Sequence, residues 1–264
     1  MRVFRFFLLL LPFALTFLIG NAQPLISLNK SQSLAAIDSI ALSKRHSNPF
    51  PTKALILPAA MIIYGFNSLE NPTIQFWDEE MKNEVYLERR PKPTHIDNFL
   101  QFAPAVAVYG LNIAGIKGKH NFRDRTMIYL LSNLIMNTAV YSTKHFSRYT
   151  RPDGSNDLSF PSGHTAEAFT SAEFLRQEYK DVSPWYGVAG YAVATATGYL
   201  RIYNNRHWLS DVIGGAGIGM ASTKIAYWLY PTIQRAVFKD KPVNTLIMPS
   251  LQNGSPGISL VHQF

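Results

Sequence analysis

Between residues 98 and 230 the chain alternates apolar segments of helical length with short polar connections. That pattern is best satisfied by helices packed on helices. The segments 98–116, 126–143, 163–179, 185–200 and 208–229 each read as a helix, and 54–66 reads as a shorter one with Pro58 near its start. Gly214, Gly215, Gly217 and Gly219 lower the helix propensity of the last segment, so close contact with a neighbouring helix is the expected compensation. Pro231 is expected to end it. The tail from 242 to 264 holds Asn253-Gly254 and Pro256-Gly257 between alternating stretches, which suits a small β-hairpin. The expected fold class is therefore all-α: a bundle of about five to six core helices with its site at one end, plus that hairpin.

Four stretches follow from this pattern. Arg2 and Arg5, the apolar run Phe6 to Ile19 and the small residues around Ala22 read as a signal peptide over 1–22, with cleavage expected before Gln23; the alternative is an uncleaved anchor helix. Residues 23–97 form an extension with short helices, 98–230 the helical core and 231–264 the tail. The signal peptide predicts an extracytoplasmic protein. Charged residues are only 16% of the chain, yet the formal net charge is +8, which favours anionic partners such as phosphorylated substrates or lipid headgroups. No Lys/Arg run has the form of a nucleic-acid-binding arm, so nucleic acid is not an expected partner. With no cysteine, disulfides and thiolate metal sites are excluded.

Three blocks carry the chemistry. The first is Lys144 with Arg151-Pro152: a guanidinium can grip phosphate oxygens through two bonds, and Lys144 adds a point charge. The second, Pro161-Ser162-Gly163-His164, opens a helix. There Gly163 lets the backbone approach an anion, Ser162 can cap the helix or donate its hydroxyl, and His164 stands where it can protonate a leaving oxygen. The third is Arg201, His207 and Asp211. His207 and Asp211 share a helix face, so Asp211 can accept one ring N–H and leave the other nitrogen nucleophilic. All three blocks fall at helix ends that an up-down bundle places on one face. Arg148 and Arg206 flank them as surface or supporting charges. Glu167 and Glu173 are spaced wrongly for an acid/base pair on that face. His95, His120, His145 and His262 lack metal-ligand spacing, and neither a phosphate-binding P-loop nor a GxSxG elbow is present. Neither a metal nor a cofactor is expected.

In this order the blocks resemble the type 2 phosphatidic acid phosphatase superfamily, which includes lipid phosphatases, class A bacterial acid phosphatases and vanadium-dependent haloperoxidases. The resemblance covers about residues 98–230. It implies that His207 is a nucleophile forming a phosphohistidine, that Asp211 orients it and that His164 is the general acid. It also implies that Lys144, Arg151, Ser162, the Gly163 amide and Arg201 cradle the phosphate. Leu200 departs from the pattern, because a serine usually precedes the third-block arginine. The stretch Asn204 to Trp208 further resembles bacterial envelope phosphatases acting on lipids such as lipid A.

The expected activity is metal-independent hydrolysis of a phosphomonoester or diphosphate of an envelope lipid, of lipid A, polyprenyl diphosphate or phosphatidic acid type. The alternatives are a soluble periplasmic acid phosphatase, a vanadate-dependent haloperoxidase or an inactive membrane protein. Among the segments, 98–116 and 126–143 are the best candidates for membrane spans, with the basic loop between them (Lys117, Lys119, His120, Arg123, Arg125) facing the cytoplasm.

Overall fold

The computed structural model describes residues 50–238 and the backbone of two strands, 245–252 and 255–262. The signal peptide expected over 1–22 and the start of the extension lie outside the described residues. Among the described residues eight α-helices occur in the order α1 (Thr52–Ser68), α2 (Pro72–Lys82), α3 (Asp97–Leu100), α4 (Ala103–Ile113), α5 (Phe122–Ser147), α6 (Gly163–Tyr179), α7 (Pro184–Tyr203) and α8 (Leu209–Phe238). A π-helical turn, Asn83–Leu87, prolongs α2. Strands β1 (Thr245–Gln252) and β2 (Ser255–His262) pair antiparallel from Thr245 opposite His262 to Gln252 opposite Ser255. The molecule is the expected all-α bundle with a C-terminal hairpin.

Helix α6 is the axis of the bundle. It packs against α4, α5, α7 and α8, and its buried residues occur on every side of it. Phe174, Leu175 and Tyr179 join Ala105 and Val108 of α4 in one apolar cluster. The polar residues of α6 are matched rather than merely buried. Glu173 accepts from Arg176, Gln177, Lys224 and Tyr191. Glu178 accepts from Tyr227 and bonds the His120 ring, and Glu167 accepts from Tyr129. A buried carboxylate left unmatched would cost several kcal/mol, about 3–5 when one partner of a buried pair is removed.

The glycines of α8 behave as the sequence suggests. A Cβ on Gly215 would lie 2.6 Å from the carbonyl oxygen of Ser162, and one on Gly217 would lie 2.7 Å from that of Pro58. One on Gly219 would overlap the carbonyl of Ala166. Backbone therefore packs on backbone along two seams, α8 against α6 and α8 against α1.

Several expectations are corrected. Segment 98–116 is not one helix. It divides into α3 and the 11-residue α4, with a turn at Gln101-Phe102 and Pro104 in the first turn of α4. At about 16 Å, α4 is too short for a hydrocarbon core of about 30 Å. Segment 126–143 lies within the longer α5, whose N-cap Asn121 accepts from the Asp124 amide at 2.8 Å. The basic loop between them is not all loop, because Arg123 and Arg125 belong to α5 and Arg125 is buried beside Glu178. Pro231 does not end α8, which continues to Phe238. Tyr230 and Gln234, flanking that proline, both bond Asp124 of α5 and hold the next turn in place. Among the described residues no single helix is long and apolar enough to cross a membrane. The pair Thr52–Ser68 and Pro72–Leu87 passes only together, with a bend of 92° between its arms.

Candidate active site

The helix ends that face one another are built by their own caps. Ser162 is the N-cap of α6, and its hydroxyl oxygen accepts from the Thr165 hydroxyl at 2.9 Å and the Thr165 amide at 3.4 Å. Its amide donates to the carbonyl of Asp211 at 3.0 Å, which ties the start of α6 to the start of α8. A Cβ on Gly163 would meet only Val140, at 3.8 Å, so the protein's own packing does not demand glycine there.

At the start of α8, one oxygen of Asp211 gathers three partners. Oδ2 accepts from the Trp208 amide at 3.0 Å, reaching back across the first turn as the acidic half of a capping box does. It also accepts from Ser159 Oγ at 2.5 Å and faces Nδ1 of His207 at 3.2 Å. Another N-terminal amide of that turn is taken from outside: Asp78 of α2 accepts from the buried Ser210 amide at 2.8 Å and the Ser210 hydroxyl at 2.6 Å. His207 is buried, and with Nδ1 facing Asp211 its Nε2 carries no hydrogen bond among the described residues.

Three cations surround this histidine. Lys144, in the last turn of α5, donates to the carbonyls of Leu158 and Ser159 at 2.6 and 3.0 Å. Arg151 sits in a loop fixed at several points. Its amide donates to Asn156, Trp208 Nε1 donates to Thr150 at 2.8 Å, and Lys82 donates to Pro152 at 2.9 Å. Arg201, near the end of α7, is paired with buried Asp97. The Nε donors of both Arg151 and Arg201 are buried and have no partner among the described residues, an uncommon condition for a charged group. Arg148 and Arg206, by contrast, are spoken for by Asp157 at 3.1 Å and Asp153 at 2.9 Å.

Burial, more than the packing of like charges, sets the protonation of the site. Burial, then Lys144, Arg201 and Arg151, hold the His207 ring well below the usual imidazole range, so it is neutral. Burial and Arg201 bring His164 down to about 4, against an opposing pull from Asp97. Burial lowers Lys144 to about 8. Burial raises Asp211 to about 6, while Ser159 pulls it back down.

All the residues singled out from the sequence therefore come together: Lys144, Arg151, Ser162, Gly163, His164, Arg201, His207 and Asp211. Four further residues escaped sequence reasoning. Asp78, Asp97 and Ser159 hold Ser210, Arg201 and Asp211, and Asn98 contacts His164 at 2.9 Å. None sits in a motif, and their partners lie far along the chain. Among the described residues no group of three His, Asp or Glu side chains is arranged to hold a metal ion.

Residues 133–235 match the family model of the PAP2 superfamily. The match begins before Lys144 and ends after Asp211, so it contains all three blocks. Over 143 residues, 54% of this chain, the sequence is 41% identical to a lipid A 1-phosphatase of Porphyromonas gingivalis. The chain spans only 32% of that relative's length. Two solved structures are similar. LpxE of Aquifex aeolicus is 23% identical with a TM-score of 0.43, covering 56% of this chain and 93% of its own. A transmembrane PAP2 type phosphatidylglycerolphosphate phosphatase of Bacillus subtilis is 19% identical with a TM-score of 0.48, covering 70% of this chain and 99% of its own.

Proposed function

We propose that the protein is a phosphoric ester hydrolase that removes phosphate from a lipid of the bacterial envelope through a phosphohistidine. The observation that carries this reading is the pair of buried, unpartnered Nε donors of Arg151 and Arg201 beside a neutral, Asp-oriented His207. Donors left over in this way suit a tetrahedral anion, and the neutral ring suits attack on its phosphorus.

In the first step His207 Nε2 forms a bond to phosphorus as the bond from phosphorus to the leaving oxygen breaks. The imidazole keeps its Nδ1 proton, which faces Asp211, and His164 gives a proton to the leaving oxygen. In the second step water attacks phosphorus, its proton passes to His164 and the P–N bond breaks. Inorganic phosphate is released and both histidines are restored. Lys144, Arg151, Arg201, the Ser162 hydroxyl and the Gly163 amide meet the phosphoryl oxygens, where charge builds up as the transition state forms.

A lipid substrate is supported by the relative named above and by apolar side chains turned outward on the bundle. Leu130, Leu134 and Tyr141 lie along one exposed face of α5, and Trp185 and Val188 are exposed on α7. We infer membrane association on the extracytoplasmic side, with the mature chain starting near Gln23.

The test is an assay of the purified full chain against lipid A, polyprenyl diphosphate, phosphatidic acid and a soluble aryl phosphate, with and without EDTA or vanadate. Acid-labile, base-stable labelling of His207, activity that survives EDTA, and inhibition by vanadate are expected. Loss of activity on chelation with recovery on adding metal overturns the mechanism. Preference for the soluble ester over every lipid overturns the substrate class.

A further inference from the structure

His164 does not stand alone at the mouth of α6. Its Nε2 lies 2.9 Å from the carboxamide oxygen of Asn98, a residue 66 positions earlier in the chain. The segment that delivers Asn98 is fixed at several points. Asp97, the preceding residue, is buried against Arg201. Asn204 both accepts from the Thr94 amide at 3.0 Å and donates to the Thr94 carbonyl at 2.8 Å. Gln101 donates to the Asn98 carbonyl at 2.8 Å. The side chain of Asn98 is thus presented to His164 from a braced turn.

An amide oxygen can only accept, so His164 Nε2 must donate to it. That assigns the hydrogen on Nε2 and leaves Nδ1 as the nitrogen that exchanges a proton. The same bond favours the imidazolium, since the oxygen gains most when the ring is charged. The setting opposes this: burial first, then Arg201 from α7, Arg151 from the loop and Lys144 from α5 lower the proton affinity of His164, and Asp97 from α3 is the countercharge.

We propose that Asn98 is a positioning residue for the general acid, fixing the tautomer of His164 and helping it keep the proton it delivers to the leaving oxygen. The inference rests on the proposed role of His164 and adds a residue outside the motif blocks and outside the 133–235 match.

The experiment compares Asn98→Ala and Asn98→Asp with the unaltered full chain, using an alkyl and an aryl phosphate across the pH range. Help from a general acid is worth about 10²–10⁴-fold where the leaving group is basic. For Asn98→Ala a loss of roughly 10-fold or more on the alkyl ester is expected, with a smaller loss on the aryl ester and the alkaline limb of the kcat profile moved toward acid. Asn98→Asp keeps an acceptor and adds a charge, so it restores alkyl turnover and moves that limb toward alkali. Equal losses on both esters with unmoved limbs overturn the proposal, as does an Asn98→Asp variant no better than Asn98→Ala. Trapping phosphate on His207 of the unaltered chain from the aryl ester separates the two levels. Failure to trap sinks the phosphohistidine reading itself, whereas trapping without leaving-group dependence in Asn98→Ala sinks only the role of Asn98.

Discussion

Ser159 donates its hydroxyl to Oδ2 of Asp211 at 2.5 Å, the same oxygen that faces Nδ1 of His207. Through that one atom the residues leading into α6 are joined to the residues opening α8. Because Asp211 is buried and raised to about 6, the bond from Ser159 works against burial and favours the ionised carboxylate.

Removing that bond should therefore move the acid limb of activity upward. In Ser159→Ala, Asp211 loses a contact that lowers its proton affinity, so it protonates at higher pH and releases its hold on His207 earlier. A hydrogen bond to a charged group is worth about 1.5–3 kcal/mol, so a shift of about one pH unit or more is expected. The kcat/KM profile measures it, and an unmoved limb excludes Asp211 as the group that titrates there.

The two histidines should fail differently. His207→Ala should abolish turnover of every ester, since no bond to phosphorus can form. His164→Ala should cost about 10²–10⁴-fold on an alkyl phosphate and much less on an aryl phosphate, whose leaving group needs little protonation. It should still trap phosphate on His207 from the aryl ester. Label found on His164, or equal losses on both esters, exchanges or removes the assigned roles.

Lys144 should govern substrate affinity on the alkaline side. Burial lowers it to about 8, so its charge is present below that value and is lost as pH rises through it. KM should rise above about pH 8, and Lys144→Arg, which keeps its charge, should abolish that rise. Lys144→Met should lower kcat/KM by roughly 10–100-fold even at pH 6, the loss expected of one charged contact. A KM that ignores pH in the unaltered chain rules Lys144 out as a phosphate contact.

Gly215 should be the least replaceable of the α8 glycines for activity. Its added Cβ would press on the Ser162 carbonyl, and overpacking of this kind costs about 1–3 kcal/mol. Thermal unfolding of Gly215→Ala should fall by several degrees, and kcat/KM should fall with it because the α6 N-cap is displaced. Gly110→Ala, where no atom lies within 4 Å, is the control and should melt at or above the unaltered value.

The bundle and the three blocks were legible because they are local. Ser162-Gly163-His164 announces a helix start by its own composition, and α6 runs over the expected 163–179. His207 and Asp211 declare themselves by a four-residue step. What stayed hidden depends on distance. Asp78 meets Ser210 across 132 residues, and Asp97 meets Arg201 across 104, so neither has a neighbour in sequence that explains it. The break at Gln101-Phe102 was missed because apolar character runs through it while the backbone turns. The continuation past Pro231 was missed because Asp124 of α5, which holds both sides of that proline, lies in another part of the chain.

The 92° bend between α1 and α2 has a consequence for modularity. It carries Asp78 to the first turn of α8 and Lys82 to Pro152, while Gly65 of α1 lies against Phe160 beside Gly214. Further on, Asp97 reaches Arg201. A chain trimmed to the PAP2 match would leave the Ser210 amide and hydroxyl without their carboxylate and strand a buried guanidinium. The smallest transplantable folded unit is therefore larger than its recognisable signature. It includes the apolar arm that begins at Thr52, so any graft, fusion or library of shortened forms has to cut ahead of that helix.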